Sequence, residues 1–389
     1  MAERGDCEDR SEAGAGGCVA SGKAPPEHAA DPLPRRLRIG VLTFHRCINY
    51  GSYWQARCLV DGLRRAGHEV VLLDHSSPQI DWTEWRCAMQ PLLPRRSPRA
   101  DIRLYADKAR AFRTAFERLP LSRPFPLDRP EAMEACDLVV VGSDEVWNLT
   151  HPWYGGQPLF YGSGIRAPRI VSYAASFGNY DAGAGLERSW ADRLARFSAI
   201  SVRDENSRRL VREALAAEPA LVLDPCLQFP PSPPVADRER QESPYVVVYG
   251  HGFPEWLSTA ARRWSEARGY RLVSIGYRND WADEQAITAG PDEFVALIAG
   301  SAAVVTNFFH GCVFSLLNAK PFVSASTPYR MNKVRDLMAS LGAEDHLLDH
   351  AGSEGDLAKV LDRPLRQAIG ETIVKLRADS TRYLDAVLA

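Results

Sequence analysis

The residues best suited to chemistry in this chain stand where β-branched runs end. His310, with Gly311 beside it, follows the strand-like run of residues 302–306. It precedes Val313, Phe314, Leu316 and Leu317, whose spacing gives a helix one apolar face. The pair therefore occupies a βα turn, and in open α/β sheets such turns lie at the carboxyl ends of strands, where ligands bind. The helix that follows offers unpaired N–H groups and the positive end of its dipole to an anion. A histidine there can trade a proton near neutral pH, and a glycine lets a ligand approach the backbone. A buried histidine bonded to a neighbouring loop, with Gly311 kept for packing, fits the isolated pair as well. Cys312 at the same helix start has two readings, a lowered thiol pKa or simple packing.

The arrangement recurs upstream. Asn49, Gly51 and Gln55 follow the run at residues 37–44, and Asp144, Glu145, Trp147 and Asn148 follow the run at 137–142. Arg203 follows the run at 199–202 and places a cation at a strand end, while Arg330 and Lys333 follow the run at 322–324. A salt bridge to Asp204 or Glu205 is the plainer reading of Arg203, a core position that of Trp147, and surface solvation that of Arg330 and Lys333.

Strands must carry these turns, and their alternation with helical segments predicts a doubly wound α/β protein. Residues 37–44, a helix over 52–66 stopped by Gly67, and residues 69–74 make an opening βαβ unit. This unit lacks G-x-G-x-x-G, which disfavours a nicotinamide or flavin dinucleotide. Residues 82–129 read as helical and basic, with Phe112 and Phe116 as a core stripe; a face for an anionic lipid or charged glycan is the alternative to a solvated surface. The proline-rich and then charged residues 230–244 read as a linker, cutting the chain into domains at 37–229 and 245–363, with a helix over 364–389. The second domain takes strands at 245–249, 271–275, 302–306 and 322–324. Residues 1–36, rich in Gly, Ala, Pro and charge, read as a disordered tail.

Composition bounds the partners. The 389 residues predict about two or three domains. Lys and Arg number 47 against 49 Asp and Glu, so no global charge invites nucleic acid. The eight cysteines show neither a C-x-x-C pair nor zinc-ligand spacing, which predicts reduced thiols and no metal. With no apolar stretch of about 18 residues, a membrane span is not expected, peripheral association stays open, and the cytoplasm is the default location.

Taken together, the turns resemble those of the polysaccharide pyruvyl transferase family. The matching blocks are Asn49-Tyr50-Gly51 with Gln55-Ala56, Gly142-Ser143-Asp144 through Trp147-Asn148, residues 173–178, and Ser201-Val202-Arg203-Asp204. Leu223-Asp224-Pro225, residues 291–294, Phe309-His310-Gly311 and residues 318–321 complete the set. The resemblance implies two Rossmann-like domains facing a cleft, as in the two-lobed, GT-B-like glycosyltransferases. It also implies transfer of a pyruvyl group from phosphoenolpyruvate to two hydroxyls of a saccharide, with phosphate released and no metal or organic cofactor. On that resemblance His310 is the general acid and Asp144 orients or deprotonates the acceptor. Arg203, Gly311, Asn49, Gly51, Arg330 and Lys333 meet the donor; Gln55, Glu145, Trp147 and Asn148 meet the acceptor. Three positions depart from the pattern. Phe308 replaces an arginine that some members carry, Glu145 a common glutamine, and Trp54 a smaller aliphatic residue. A nucleotide-sugar glycosyltransferase and a non-catalytic binding protein are the competing readings. Acceptor and oligomeric state stay open.

Overall fold

The run at 37–44 becomes strand β1 (Arg38–Leu42), and its valine, leucine and isoleucine are buried on both faces, as a central parallel strand requires. The computed structural model describes residues 36–93, 95–231, 244–325, 331–348 and 354–389. The expected tail, most of the expected linker and Arg330 lie outside them.

Helix α1 (Tyr50–Arg65) begins two residues earlier than Ser52 because Asn49 caps it: the Asn49 side-chain oxygen accepts the N–H groups of Gly51 at 2.8 Å and Ser52 at 3.2 Å. Strands β2 (Glu69–Leu72) and β3 (His75–Ser76) follow, then helices α2 (Pro78–Met89) and α3 (Ile102–Phe116). The helical reading of residues 82–129 overruns here. Prolines at 120, 124, 126 and 130 lack the N–H that a helix needs, so the chain runs on to strand β4 (Phe125–Pro126). Strands β5 (Leu138–Val141) and β6 (Arg169–Ser172) complete a parallel sheet of order β2-β1-β5-β6. Beyond its edge come helix α4 (Arg188–Leu194), strand β7 (Ser201–Val202), helix α5 (Glu205–Leu215), strand β8 (Ala220–Leu221) and the short helix α6 (Pro225–Gln228).

The second lobe is built alike from β9 (Tyr245–Tyr249), α7 (Glu255–Glu266), β10 (Arg271–Ile275), β11 (Glu284–Ala286), α8 (Pro291–Gly300), β12 (Ala303–Thr306), α9 (Phe309–Leu317) and β13 (Phe322–Ser324). Its parallel order is β11-β10-β9-β12-β13. Strand β11 escapes the sequence pattern because it is a three-residue edge strand with a polar face. Helices α10 (Met331–Leu341), α11 (Glu354–Leu361) and α12 (Gln367–Leu388) end the chain.

One face of each sheet has its own core, but the remaining faces share a single core in which α1 meets α8 and α9. Trp54 Nε1 donates to the Pro291 carbonyl at 3.0 Å and Tyr50 Oη to that of Ala289 at 2.6 Å. Trp54, the bulky departure from the family pattern, thus serves the lobe junction. Helix α12 returns to the first lobe: Tyr383 Oη donates to Ser172 O at 2.7 Å and the Leu223 N–H to Ser380 Oγ at 2.9 Å. Among the described residues no helix is long and apolar enough to cross a membrane.

Candidate active site

Each sheet reverses its winding once, between β1 and β5 in the first lobe and between β9 and β12 in the second. The strand ends at these two reversals, where open α/β sheets leave a crevice, together line a cavity of about 280 Å3.

On the first lobe's side the polar groups bond to one another. Ser52 Oγ donates to Asp144 Oδ2 at 2.7 Å, and Asp144 Oδ1 accepts from the Glu145 N–H at 3.0 Å and Arg203 Nη2 at 3.3 Å. Asp144 holds φ at +70°, a left-handed conformation that aspartate tolerates better than most residues. Arg203 also gives Nη1 to Asp224 Oδ2 at 2.9 Å and lays its guanidinium over the Phe309 ring at 4.7 Å. Burial works against that charge, yet Asp144 and Asp224 hold it more firmly cationic than usual. Only 1% of the Arg203 side chain is exposed, so it stands behind the cavity wall instead of gripping a donor. Nor are its partners Asp204 or Glu205, the alternative reading, because Asp204 caps α5 through Ser207 N.

The second lobe supplies the more open groups. Helix α9 begins at Phe308 without a side-chain cap, leaving its N-terminus turned to the cavity that Phe308, Phe309 and His310 line. His310 Nε2 is buried without a hydrogen-bond partner, and Asp224 Oδ2 is 3.7 Å away, an ion-pair contact longer than a hydrogen bond. Burial disfavours charge on Asp224, but His310, Arg203 and the Cys226 N–H outweigh it and hold the carboxyl well below its usual range. The His310 ring packs against Gly51; a Cβ there would fall inside its van der Waals envelope. Lys333 reaches back from α10 to pair with Glu145, which Asn148 Nδ2 also contacts at 2.9 Å. Burial alone would raise the Glu145 carboxyl; Lys333 and Asn148 bring it down to about 2.

Several expected contacts are not made. Gln55 is wholly buried and ties the β1 turn through Thr43 Oγ1 at 3.0 Å and Ser52 O at 2.9 Å, so it meets no acceptor. Trp147 is core, its Nε1 donating to Phe160 O at 2.8 Å. Asn148 positions Glu145 from behind. Gly311 is required by packing, since a Cβ would strike Thr306. Burial pushes the Cys312 thiol up to about 12, against the dipole reading.

The cavity also holds residues that sequence reasoning passed over, chiefly Lys108, Glu84, His251 and Tyr277. Lys108 is 3% exposed; its Nζ donates to Gly276 O at 3.0 Å and lies 4.4 Å from the Tyr277 ring centroid and 4.9 Å from that of Tyr50. Burial drives its pKa down to about 7, with Glu84 pulling the other way. Spacing could have found it, because Tyr105, Lys108, Phe112 and Phe116 fall on one face of α3. Asp224, Cys226 and His310 bring ligand-type atoms within 4.8 Å of one another. They suit a metal poorly: the Cys226 thiol is pushed well up by burial and by Cys58 and Asp224, and the Asp224 oxygen they would share already holds a guanidinium.

Comparison with known proteins fits this architecture. Over 90% of this chain and 99% of the other, the structure superposes on UDP-GlcNAc 2-epimerase from Neisseria meningitidis with TM-score 0.51 at 9% identity, which speaks to fold alone. The Methanocaldococcus jannaschii UDP-GlcNAc 2-epimerase (14% identity, 88% and 99% coverage, TM-score 0.45) and a glycosyltransferase from Streptomyces sp. SF2575 (16%, 89% and 96%, 0.45) are more distant in shape. The fold is the two-lobed, GT-B-like one. No curated protein sequence matches the chain. A family model, polysaccharide pyruvyl transferase, matches residues 49–327, which run from the cap of α1 to just past β13 and hold both cavity edges; the chain is a transferase belonging to that family.

Proposed function

We propose that the chain moves the pyruvyl group of phosphoenolpyruvate onto two hydroxyls of a saccharide or glycoconjugate, forming a cyclic ketal and releasing inorganic phosphate. The observation that carries this reading is His310, whose buried Nε2 lacks a partner at the uncapped start of α9 and faces a cavity edged by Asp144. Enolpyruvyl chemistry begins by protonating a methylene carbon, which needs a positioned acid beside an anion site. The His310 imidazolium gives its proton to the donor's terminal carbon, leaving the central carbon cationic. One acceptor hydroxyl adds there and its proton passes to Asp144. Phosphate leaves with cleavage of its bond to that carbon and takes the proton from Asp144. The second hydroxyl adds in its place, and its proton returns to His310. Asp224 steadies the imidazolium, and Arg203 positions both carboxylates. Lys108 and Lys333 supply charge for the donor, so Phe308 need not be arginine.

The experiment adds phosphoenolpyruvate or a nucleotide sugar to the full chain and follows its melting temperature. Donor at a hundredfold its Kd stabilises by about 2.7 kcal/mol. Phosphate release and a mass gain on members of an acceptor panel then identify the reaction. A shift with nucleotide sugars and none with phosphoenolpyruvate would overturn the reading. The aromatic group Tyr249, Tyr277 and Phe308, with ring centroids 5.1 Å and 5.3 Å from Phe308, is the one observation favouring that alternative, since it offers faces to a base.

A further inference from the structure

The large apolar side chains left exposed are concentrated in one stretch. Trp82 is 72% exposed, Trp85 41%, Leu93 49% and Ile102 38%, whereas only Leu221 and Val374 are comparable elsewhere among the described residues. Trp82 and Trp85 stand three apart on α2 and so share a face. The opposite side of the same helix is inside the molecule, since Glu84, Cys87 and Ala88 line the cavity.

The charge around this apolar strip is one-sided. Residues 81–113 carry arginines at 86, 95, 96, 99, 103, 110 and 113, all exposed. Arg95 is paired with Asp280 and Arg110 with Asp107, but among the described residues the other five have no carboxylate within 4.0 Å. The four acids of the stretch offset them little: Asp101 is buried under Arg278, Glu84 faces the cavity and Asp107 is taken, which leaves Asp81 alone exposed. The whole chain is slightly acidic, so the patch is local. Exposed tryptophan amid arginine suits a lipid headgroup layer: indole rings settle at the apolar boundary, and guanidinium groups reach the phosphates above them.

We propose that this face, α2 with the turn after it and the start of α3, docks the protein on an anionic lipid surface. Docking there sets the cavity roughly one helix diameter, ~10 Å, from the headgroups.

The test is cosedimentation of the full chain with vesicles of phosphatidylcholine, alone or with phosphatidylglycerol added. Binding is expected only with the anionic lipid, strong at ~0.1 M salt and lost at ~1 M, where the screening length falls from ~10 to ~3 Å. Trp82→Ala with Trp85→Ala, and separately Arg96→Gln with Arg99→Gln and Arg103→Gln, should each lower the bound fraction about tenfold. All five sites are exposed, so an unchanged melting curve verifies that the variants fold. No sedimentation with anionic vesicles, or sedimentation that survives both sets, overturns the proposal. So does a wild-type dimer that the tryptophan variant converts to monomer, because the strip would then be covered by a second copy. Vesicle binding needs neither donor nor acceptor, so the result stands apart from the reaction assigned above.

Discussion

The two lobes meet the cavity with turns of the same kind, strand end to helix start, yet they treat their polar groups in opposite ways. In the first lobe Asn49 caps α1 and Asp144 is held by Ser52 and Arg203, so the groups that meet the cavity are saturated, while the unpartnered Gln55 Oε1 and Arg203 Nε lie buried behind it. In the second, α9 has no side-chain cap and His310 Nε2 has no hydrogen-bond partner. A saturated turn is rigid and can position; an unsaturated one retains capacity for a ligand. The difference divides the labour: the first lobe fixes geometry and the second meets the anion. At Gly51 the first lobe's turn touches the His310 ring of the second.

The sharpest way to break this division is His310→Ala. It should cost about 10²- to 10⁴-fold in phosphate-release rate, the usual worth of a general acid, and some stability as well, since the buried ring and its ion-pair contact with Asp224 are lost. A full rate would move the chemistry elsewhere. Gly51→Ala comes next, since the new methyl overlaps the His310 ring. Urea unfolding should show about 1–3 kcal/mol of destabilisation from this overpacking. Adding His310→Ala should relieve it, and additivity of the two would mean that the lobes do not interlock there.

Glu145→Gln restores the residue common in the family. Breaking the buried Lys333 contact should cost about 2 kcal/mol and leave the ammonium, which Glu145 otherwise shares, wholly to the donor, lowering its KM. The Glu145 carboxyl, depressed to about 2 in the folded protein, contributes stability above its usual range that is lost as pH falls toward 2. The wild type should therefore lose more stability than the variant between pH 5 and about 2. Smallest is Lys108→Met, which should raise the KM for phosphoenolpyruvate about tenfold, the loss of one charge-assisted contact, with kcat spared. Because the Lys108 pKa is near 7, ammonium is lost as pH rises through that value. Donor affinity should weaken above it in the wild type, with Glu84 delaying the loss, and Lys108→Arg should abolish that limb.

The lobes, their parallel strands and the strand-end placement of Asn49, Asp144 and His310 were legible because β-branched runs and capping residues are local signals. What the side chains do there was less so. Trp147 and Gln55 look like ligand contacts in a motif, but burial makes them core and brace, and burial depends on residues far away in sequence. Arg203 was expected to grip the donor or else to bond its sequence neighbours, and instead it is buried on partners that arrive from residues 144 and 224. Lys108 was hidden in an arginine-rich stretch whose average character is that of a wet surface. Only the helical period separates it from its neighbours.

The return of α12 to the first lobe has a mechanical consequence. The chain passes from the first lobe to the second between residues 231 and 244 and back again along α12, whose start is tied to Asp345 by Arg366 and whose Tyr383 reaches Ser172, so the halves are joined twice. A single tether allows swivel in any direction, whereas two act like the pins of a door and leave one easy axis, with the shared core of α1, α8 and α9 along it. Opening about that axis would have to part Lys333 from Glu145 across the cavity, and sideways slip would part Gly51 from His310.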